Sequence, residues 1–336
     1  MERMQHPEPD TVLIVPAADV CRVLTMPRCI EAIDQVMRRV SQGKAQLPLR
    51  NFVRVPGGAG LFGAMTGCIE EPLAFGAKLI SVFPRNADRG LPSHNGVVLV
   101  MDPGTGRVRA IMDGTSITAI RTAAATAVAT RALARPDSRS LAILGAGEQA
   151  VTHLEAMTHV LELRRVRIWA RSSEKAQAFA RSEGARHAVP LEVSASVREA
   201  VDGADVICAV TAAREPILRG EWLAPGTHVN LVGASQADSR EADDEVVRRG
   251  RYFVDLRLSA VNEAGELLHA IRAGLVTEQH LLGEIGAVLD GRLTGRRTGE
   301  DITIYKSLGI AAQDLAAAHV ILDQAARERF GIRVRL

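Results

Sequence analysis

Only four cysteines occur in 336 residues. They stand at 21, 29, 68 and 208, with no CxxC pair and no histidine nearby at ligand spacing. That excludes a disulfide framework and a metal site, and predicts reduced, buried structural thiols in a cytoplasmic protein. Charge of one sign is missing too. The 41 basic and 39 acidic residues are interspersed and leave a formal net charge of +2, so neither nucleic acid nor an anionic membrane is an expected partner. No run reaches the roughly 18 consecutive apolar residues of a membrane span. The start, "MERMQHPEPDTVLIV", has acids and prolines where a signal peptide needs a basic patch and an apolar block, so no leader is expected. Internal repeats and low-complexity linkers are also lacking. What remains is a chain with 47% hydrophobic residues, enough for roughly two domains with their own cores, and a small molecule as its partner.

"TVLIV" (11–15) reads as a first strand, and the stretch from there to Lys44 has helical apolar spacing broken near Pro27. The segments "FVRVP", "GLFGAMTGCIE", "FGAKLISVFP", "NGVVLVMDP" and "RVRAIMDG" follow. They are short, alternating or apolar, and divided by Gly, Pro, Asn and Asp, which predicts an antiparallel or mixed sheet that is not doubly wound. The character changes at "SITAIRTAAATAVATRALA" (116–134), a small-residue helix suited to close packing. After the turn "RPDSRS", strands and helices alternate through "SLAILGAG", "RVRIWAR", "ADVICAVT", "THVNLVGAS" and "RYFVDL" in the βαβ manner. The tail "IYKSLGIAAQDLAAAHVILDQAARERF" reads as one more long helix after the sheet is complete, returning to the first domain. The expected fold is α/β: a Rossmann-like parallel-sheet domain, residues 121–305, inserted into an α+β domain built from 1–120 and 306–336.

Within "LAILGAGEQA", Gly145, Ala146, Gly147, Gln149 and Ala150 follow an apolar strand and open a helix, the context a dinucleotide fingerprint requires. The glycines let backbone approach a pyrophosphate, and Ala150 lets the helix sit close to the strand with its N-terminal amides facing the phosphates. A tight strand-to-helix turn is the plainer alternative. A cofactor with a free 2′-hydroxyl meets an Asp or Glu about 20 residues on. Here the second strand ends instead in Ala170, Arg171 and Ser172. An Arg flanked by hydroxyls suits a 2′-phosphate, which favours NADPH with NADH still usable. Arg171 as a solvated surface charge is the alternative.

Three cations sit in apolar neighbourhoods: Arg50 in "LPLRNF", Lys78 in "FGAKLISVF" and Arg121 in "ITAIRTAAA". Buried cations must be paired or must face a cavity. Converging, they bind a carboxylate; otherwise each has its own internal Asp or Glu. Further on, "DSRE" (238–241) reads as a capping box, with "ADDE" (242–245) filling the first turn of the helix it caps.

The ordered set "GLFGAM", "AKLISVFPRN", "GLPSHNGVVLVMDP", "MDGTSITAIRTAAATAVAT", "LGAGEQA", "RIWARS", "VGASQADSREADDE" and "YKSLGIAAQD" resembles the ornithine cyclodeaminase/μ-crystallin family from about residue 45 to 320. The resemblance implies a substrate and dimerisation domain made from both chain ends, with a Rossmann domain inserted, in a homodimer. It implies that Arg50, Lys78 and Arg121 surround the carboxylate of an amino or imino acid, with Lys78 able to protonate the product nitrogen. Ser93 and His94 would sit near the nicotinamide, although a lone His is as readily a structural one. Thr211, Val232, Lys306 and Ser307 would line the cofactor cleft. Cyclodeaminases of the family carry an Asp where this chain has Ser235, which gives at most a hydrogen bond. The implied activity is therefore NAD(P)H-dependent reduction of a small cyclic ketimine carboxylate, Δ1-pyrroline-2-carboxylate or Δ1-piperideine-2-carboxylate. Ornithine cyclodeaminase, an alanine dehydrogenase-like enzyme and a non-catalytic NADPH-binding protein are the alternatives.

Overall fold

Short alternating segments make strands in the first third of the chain, and apolar runs divided by helices make them in the rest. In the computed structural model, which describes residues 11–187 and 189–335, β1 (Thr11–Val15) leads into α1 (Ala17–Val23) and α2 (Met26–Ser41). The helical break falls at residues 24 and 25, and Pro27 lies in the first turn of α2, where a missing N–H breaks no intrahelical bond. Then come β2 (Ala45–Gln46), β3 (Asn51–Arg54), β4 (Leu61–Glu70), β5 (Leu73–Val82), β6 (His94–Met101), β7 (Val108–Asp113) and α3 (Gly114–Leu133). The alternating part runs through β8 (Ser140–Leu144), α4 (Glu148–Thr158), β9 (Arg165–Trp169), α5 (Ser173–His187), β10 (Leu191–Val193), α6 (Val197–Val201), β11 (Val206–Ala209) and β12 (His228–Leu231). It continues with α7 (Asp244–Arg249), β13 (Gly250–Val254), α8 (Arg257–Glu263), α9 (Gly265–Arg272), β14 (Leu281–Glu284), α10 (Ile285–Leu289) and β15 (Ile302–Lys306). The chain closes with α11 (Ala311–Glu328) and β16 (Ile332–Arg335). Residues 1–10, on which the leader-peptide reading partly rests, lie outside the described residues.

The chain separates into two compact units. One takes its described residues from Met1–Ala32, Gly43–Arg121 and Ile310–Leu336, the other from Ile33–Gln42 and Thr122–Gly309. In the first, a mixed sheet runs in the order β16-β1-β7-β6-β5-β4-β2, with β3 also on β4. The β1–β7 pair is parallel and the others are antiparallel. Helix α11 packs on β4, β5 and β6 through a face of small residues including Ala311, Ala312 and Ala318. Close approach requires Gly67 on β4, because a Cβ there would stand 2.9 Å from the Ala311 Cβ. In the register of this sheet Lys78 lies between Met65 and Val98, both buried, so its ammonium is carried on an apolar face. On β3, Phe52 and Val53 are exposed, as are Leu49 and Phe62 beside them.

The second unit holds eight parallel strands in the order β10-β9-β8-β11-β12-β15-β13-β14. The strand order reverses between β8 and β11, the switch point where doubly wound sheets bind ligands at the carboxyl ends of their strands. The long helix expected over the tail is corrected here. Residues 302–306 form β15, inside the sheet between β12 and β13, and α11 begins only at Ala311. All five residues of β15 are buried, and β-branched and aromatic side chains suit such a strand. Gly309, at φ +80°, turns the chain out of it. Strand β16 was also unread in the sequence.

All four cysteines are free. Burial pushes the Cys29 and Cys208 thiols up to about 12. Cys68 is half-buried and Cys21 exposed, so the expectation of four buried thiols holds for two. Among the described residues no helix is long and apolar enough to cross a membrane.

Candidate functional site

In the first unit, three ionisable side chains meet out of water. Lys78, Arg121 and Asp314 are 2%, 4% and 1% exposed. The Lys78 Nζ donates to the Thr118 hydroxyl at 3.1 Å and to Asp314 Oδ1 at 3.4 Å. Arg121 Nε donates to the same Oδ1 at 3.1 Å, and its Nη1 donates to Gln313 Oε1 at 2.7 Å. Two cations thus share one carboxylate. In a low-dielectric setting the uncompensated positive charge draws a second anion. Arg50, half-buried with its guanidinium 5.7 Å from the Phe52 ring, adds to that field and acts on Lys78. Burial, then Arg121, lowers the Lys78 ammonium to about 8 against the opposing pull of Asp314. At neutral pH this group carries a proton it can readily release.

The alternative of internal partners is therefore half realised: Lys78 and Arg121 do have an acid, but they share it. Asp314 and Gln313 went unremarked in the sequence. Their signal was an acid and an amide inside "GIAAQDLAAA", a stretch too apolar for a solvated face. Asp314 lies in the first turn of α11, where the helix dipole favours an anion. His94 opens β6, with Ser93 Oγ 3.1 Å from its Nδ1. Its ring reaches solvent, yet shielding by surrounding protein and the Lys78 charge lower its pKa.

In the second unit, the glycine loop lies at the switch point. The Gly145 N–H donates to the Trp169 carbonyl at 2.8 Å. Gly145 has φ +124°, and a Cβ there would stand 2.9 Å from the Val210 carbonyl oxygen, so no other residue fits. Gly147 is the N-cap of α4, and a Cβ on it would meet nothing within 4 Å. Ala146 beside it is half-buried, and Ala150 is fully buried against the strand. Gln149 Oε1 is buried with no hydrogen-bond partner. Open backbone at a helix N-terminus fits a dinucleotide pyrophosphate, whereas the orphaned Gln149 oxygen, an acceptor, calls for a donor such as a hydroxyl. After β9, Ala170 is half-buried, Arg171 exposed, and Ser172 Oγ accepts from the Lys175 N–H at 3.3 Å.

Beyond β11 and β12 the loops are tied by Glu241. Asp243, not Asp238, caps α7, accepting from the Val246 N–H at 3.0 Å. The expected capping box at 238–241 does not form. Asp238 is exposed, and its Oδ1 accepts from the Ser239 hydroxyl at 3.2 Å. Glu241 instead is fully buried and accepts from the Thr211 N–H and hydroxyl at 2.6 and 2.7 Å, and from the N–H groups of Gly233 and Ala234 at 2.6 and 3.3 Å. Its own N–H donates to Glu266 Oε1 at 3.1 Å. Lys306, also fully buried, donates to the Ala234 carbonyl at 2.5 Å and pairs with Glu266 at 2.9 Å. Lys306 is thus engaged internally. Burial raises the Glu241 pKa, and Lys306 opposes the rise. Val232 is buried, Ser235 half-buried, and the Ser307 hydroxyl is buried without a hydrogen-bond partner. Glu241 is hidden in the sequence by the capping-box pattern, and Glu266 passes for an ordinary first-turn acid of α9. Among the described residues no group of three or more His, Cys, Asp or Glu is placed to hold a metal ion.

Residues 11–329 match the sequence profile of the ornithine cyclodeaminase/mu-crystallin family. The chain is 41% identical over 281 residues to the ketimine reductase mu-crystallin of Mus musculus, covering 84% of this chain and 86% of that protein. It superimposes on Thermococcus litoralis Δ1-pyrroline-2-carboxylate reductase, solved with NADH and L-proline, with a TM-score of 0.94 and 34% identity over 96% of this chain and 100% of the other. An archaeal alanine dehydrogenase dimer with bound NAD is similar at a TM-score of 0.91 and 30% identity, over 97% and 99% of the two chains.

Proposed function

The chain belongs to the ornithine cyclodeaminase/mu-crystallin family, and from that premise we propose that it reduces small cyclic ketimine carboxylates, Δ1-pyrroline-2-carboxylate and its six-membered homologue, with NADPH. The observation that carries this reading is the buried pair of cations sharing one carboxylate, Lys78 and Arg121 on Asp314, which leaves positive charge for the carboxylate of a substrate. The mouse relative is a ketimine reductase, and the Thermococcus litoralis relative was solved with NADH and L-proline.

When bound, the nicotinamide supplies a hydride to the imine carbon. Arg121 and Arg50 hold the substrate carboxylate and so fix the face of the ring that is presented. Lys78, at about 8, gives a proton to the nitrogen as the C=N bond becomes CH–NH. Activity therefore requires protonated Lys78 and falls as pH rises through that value. Ser235 offers a hydroxyl and no negative charge, so nothing at this position fixes a distal ammonium or activates an attacking amine. Gly145, Ala146, Gly147, Gln149 and Ala150 receive the pyrophosphate. Ser93, His94, Thr211, Val232 and Ser307 serve the cofactor, with the loops after β11 and β12 held by Glu241; Lys306, buried at the end of β15, acts indirectly by bracing the Ala234 carbonyl and Glu266. Arg171, with Ala170 and Ser172, takes the 2′-phosphate.

A second copy of the chain is the proposed partner. Val53 on β3 and its cross-strand partner Phe62 on β4 are both exposed on one sheet face, and the related alanine dehydrogenase is a dimer.

Three outcomes are expected. The unmutated protein consumes NADPH, read at 340 nm, when given either cyclic imine, and releases negligible ammonia from ornithine with NAD; steady ammonia at a comparable rate would return the cyclodeaminase reading to first place. Arg171→Ala erodes the preference for NADPH mainly through KM, since a remote phosphate contact is uniform binding; equal use of NADH by the unmutated enzyme contradicts the phosphate role. Light scattering on the eluted protein gives twice the chain mass, and Val53→Lys shifts it toward one; a monomer before mutation sinks the dimer.

A further inference from the structure

We propose that Asp314 is a positioning residue that keeps Lys78 protonated, so that this internal carboxylate sets the alkaline limit of the reaction. The inference rests on the reading of the site as a ketimine reductase and deepens it.

The geometry points to Asp314 because a single oxygen does two jobs. Oδ1 lies 3.4 Å from Lys78 Nζ and 3.1 Å from Arg121 Nε, while Oδ2 is buried without a hydrogen-bond partner. An unshared buried carboxylate oxygen is costly, so the aspartate is held by its ionic partners and the dipole of α11. The groups that act on Lys78 come from every side. Thr118 and Arg121 lie on α3, Arg50 precedes β3, and His94 on β6 feels the Lys78 charge. Cys29, on α2, lies near Arg121 and Asp314 and stays a neutral thiol. Of the charged groups acting on Lys78, Arg121 and Arg50 drive its proton off, and Asp314 opposes them. At 1% exposure, Asp314 works through Lys78 and Arg121.

The balance has a consequence for substrate binding as well. An incoming carboxylate competes with Asp314 for the same two cations, so Asp314 limits how tightly any anion is held while keeping the proton donor charged. Removing its charge strips Lys78 of the one opposing influence. An opposite charge at this range shifts a pKa by about 1–3 units, so the alkaline limb of the rate profile should move down by about one unit or more.

The test compares Asp314→Asn with the unmutated enzyme in imine reduction, as kcat/KM across the pH range. The substrate titrates identically in both, so the difference isolates the enzyme. The expected result is an alkaline limb moved to lower pH by about one unit or more, with the plateau below it retained or raised, and in Lys78→Met a much lower rate whose pH dependence is the substrate's own. A limb that stays in place, or a rate lost evenly at all pH values, overturns the proposal and leaves Asp314 a structural residue. A second readout needs no turnover: the pH at which L-proline affinity breaks, measured by calorimetry on the enzyme with NADPH, should move by the same amount. A protein that reduces no ketimine would refute the functional reading while this titration still decides for or against Asp314. If Asp314→Asn is insoluble, Asp314→Ser removes the same charge, leaves room for water, and is read in the same way.

Discussion

Two buried cations held by one carboxylate impose most of what surrounds them. Taking an ammonium and a guanidinium out of water is expensive, and a single aspartate returns only part of that cost. The first unit is arranged to make the exchange workable. Lys78 stands in the middle of a sheet face, between Met65 and Val98, and Arg121 projects from a helix of small residues. The chain's last helix returns to this sheet with Asp314 in its first turn and an alanine face that lies flat only because Gly67 has no side chain. The cluster therefore draws on segments that flank Thr122–Gly309 of the second unit in sequence, Lys78 and Arg121 before it and Asp314 after it.

The second unit uses the same device for another purpose. Glu241 collects backbone donors from the loops after β11 and β12, and Lys306 with Glu266 braces it from below. A buried acceptor with four donors gives fixed geometry, since each N–H would otherwise be orphaned. Gly233 belongs to this arrangement: a Cβ there would stand 1.9 Å from the Thr211 carbonyl oxygen. The rigid edge this produces suits a cofactor that must be presented in one orientation.

How much of this the sequence disclosed follows from what each residue needs. The glycine loop was legible because Gly145 and Gly147 answer to local backbone geometry, which a short window contains. Lys78 and Arg121 were legible because a cation in an apolar run announces a partner. Their partner was not, since Asp314 lies 193 residues from Arg121 and pairing across such distances leaves no local trace. Glu241 was misread for the opposite reason: "DSREADDE" satisfies the pattern of a helix start so well that the true cap, Asp243, and the buried acid two residues before it look alike. Strand β15 was lost to its neighbour, because "IYKSLGIAAQDL" keeps helical apolar spacing through a turn that only Gly309 marks.

The most direct test of the central claim, that Lys78 and Arg121 on Asp314 leave charge for a substrate carboxylate, is Arg121→Lys measured for both kcat/KM in imine reduction and melting temperature. A lysine keeps a cation beside Asp314 and loses the fork that grips a carboxylate. The account predicts a fall in kcat/KM of roughly tenfold to a thousandfold, at about 1.4 kcal/mol per decade, with the melting temperature hardly moved. A large loss of melting temperature with kinetics almost unchanged would contradict it and make the cluster an internal ion pair alone.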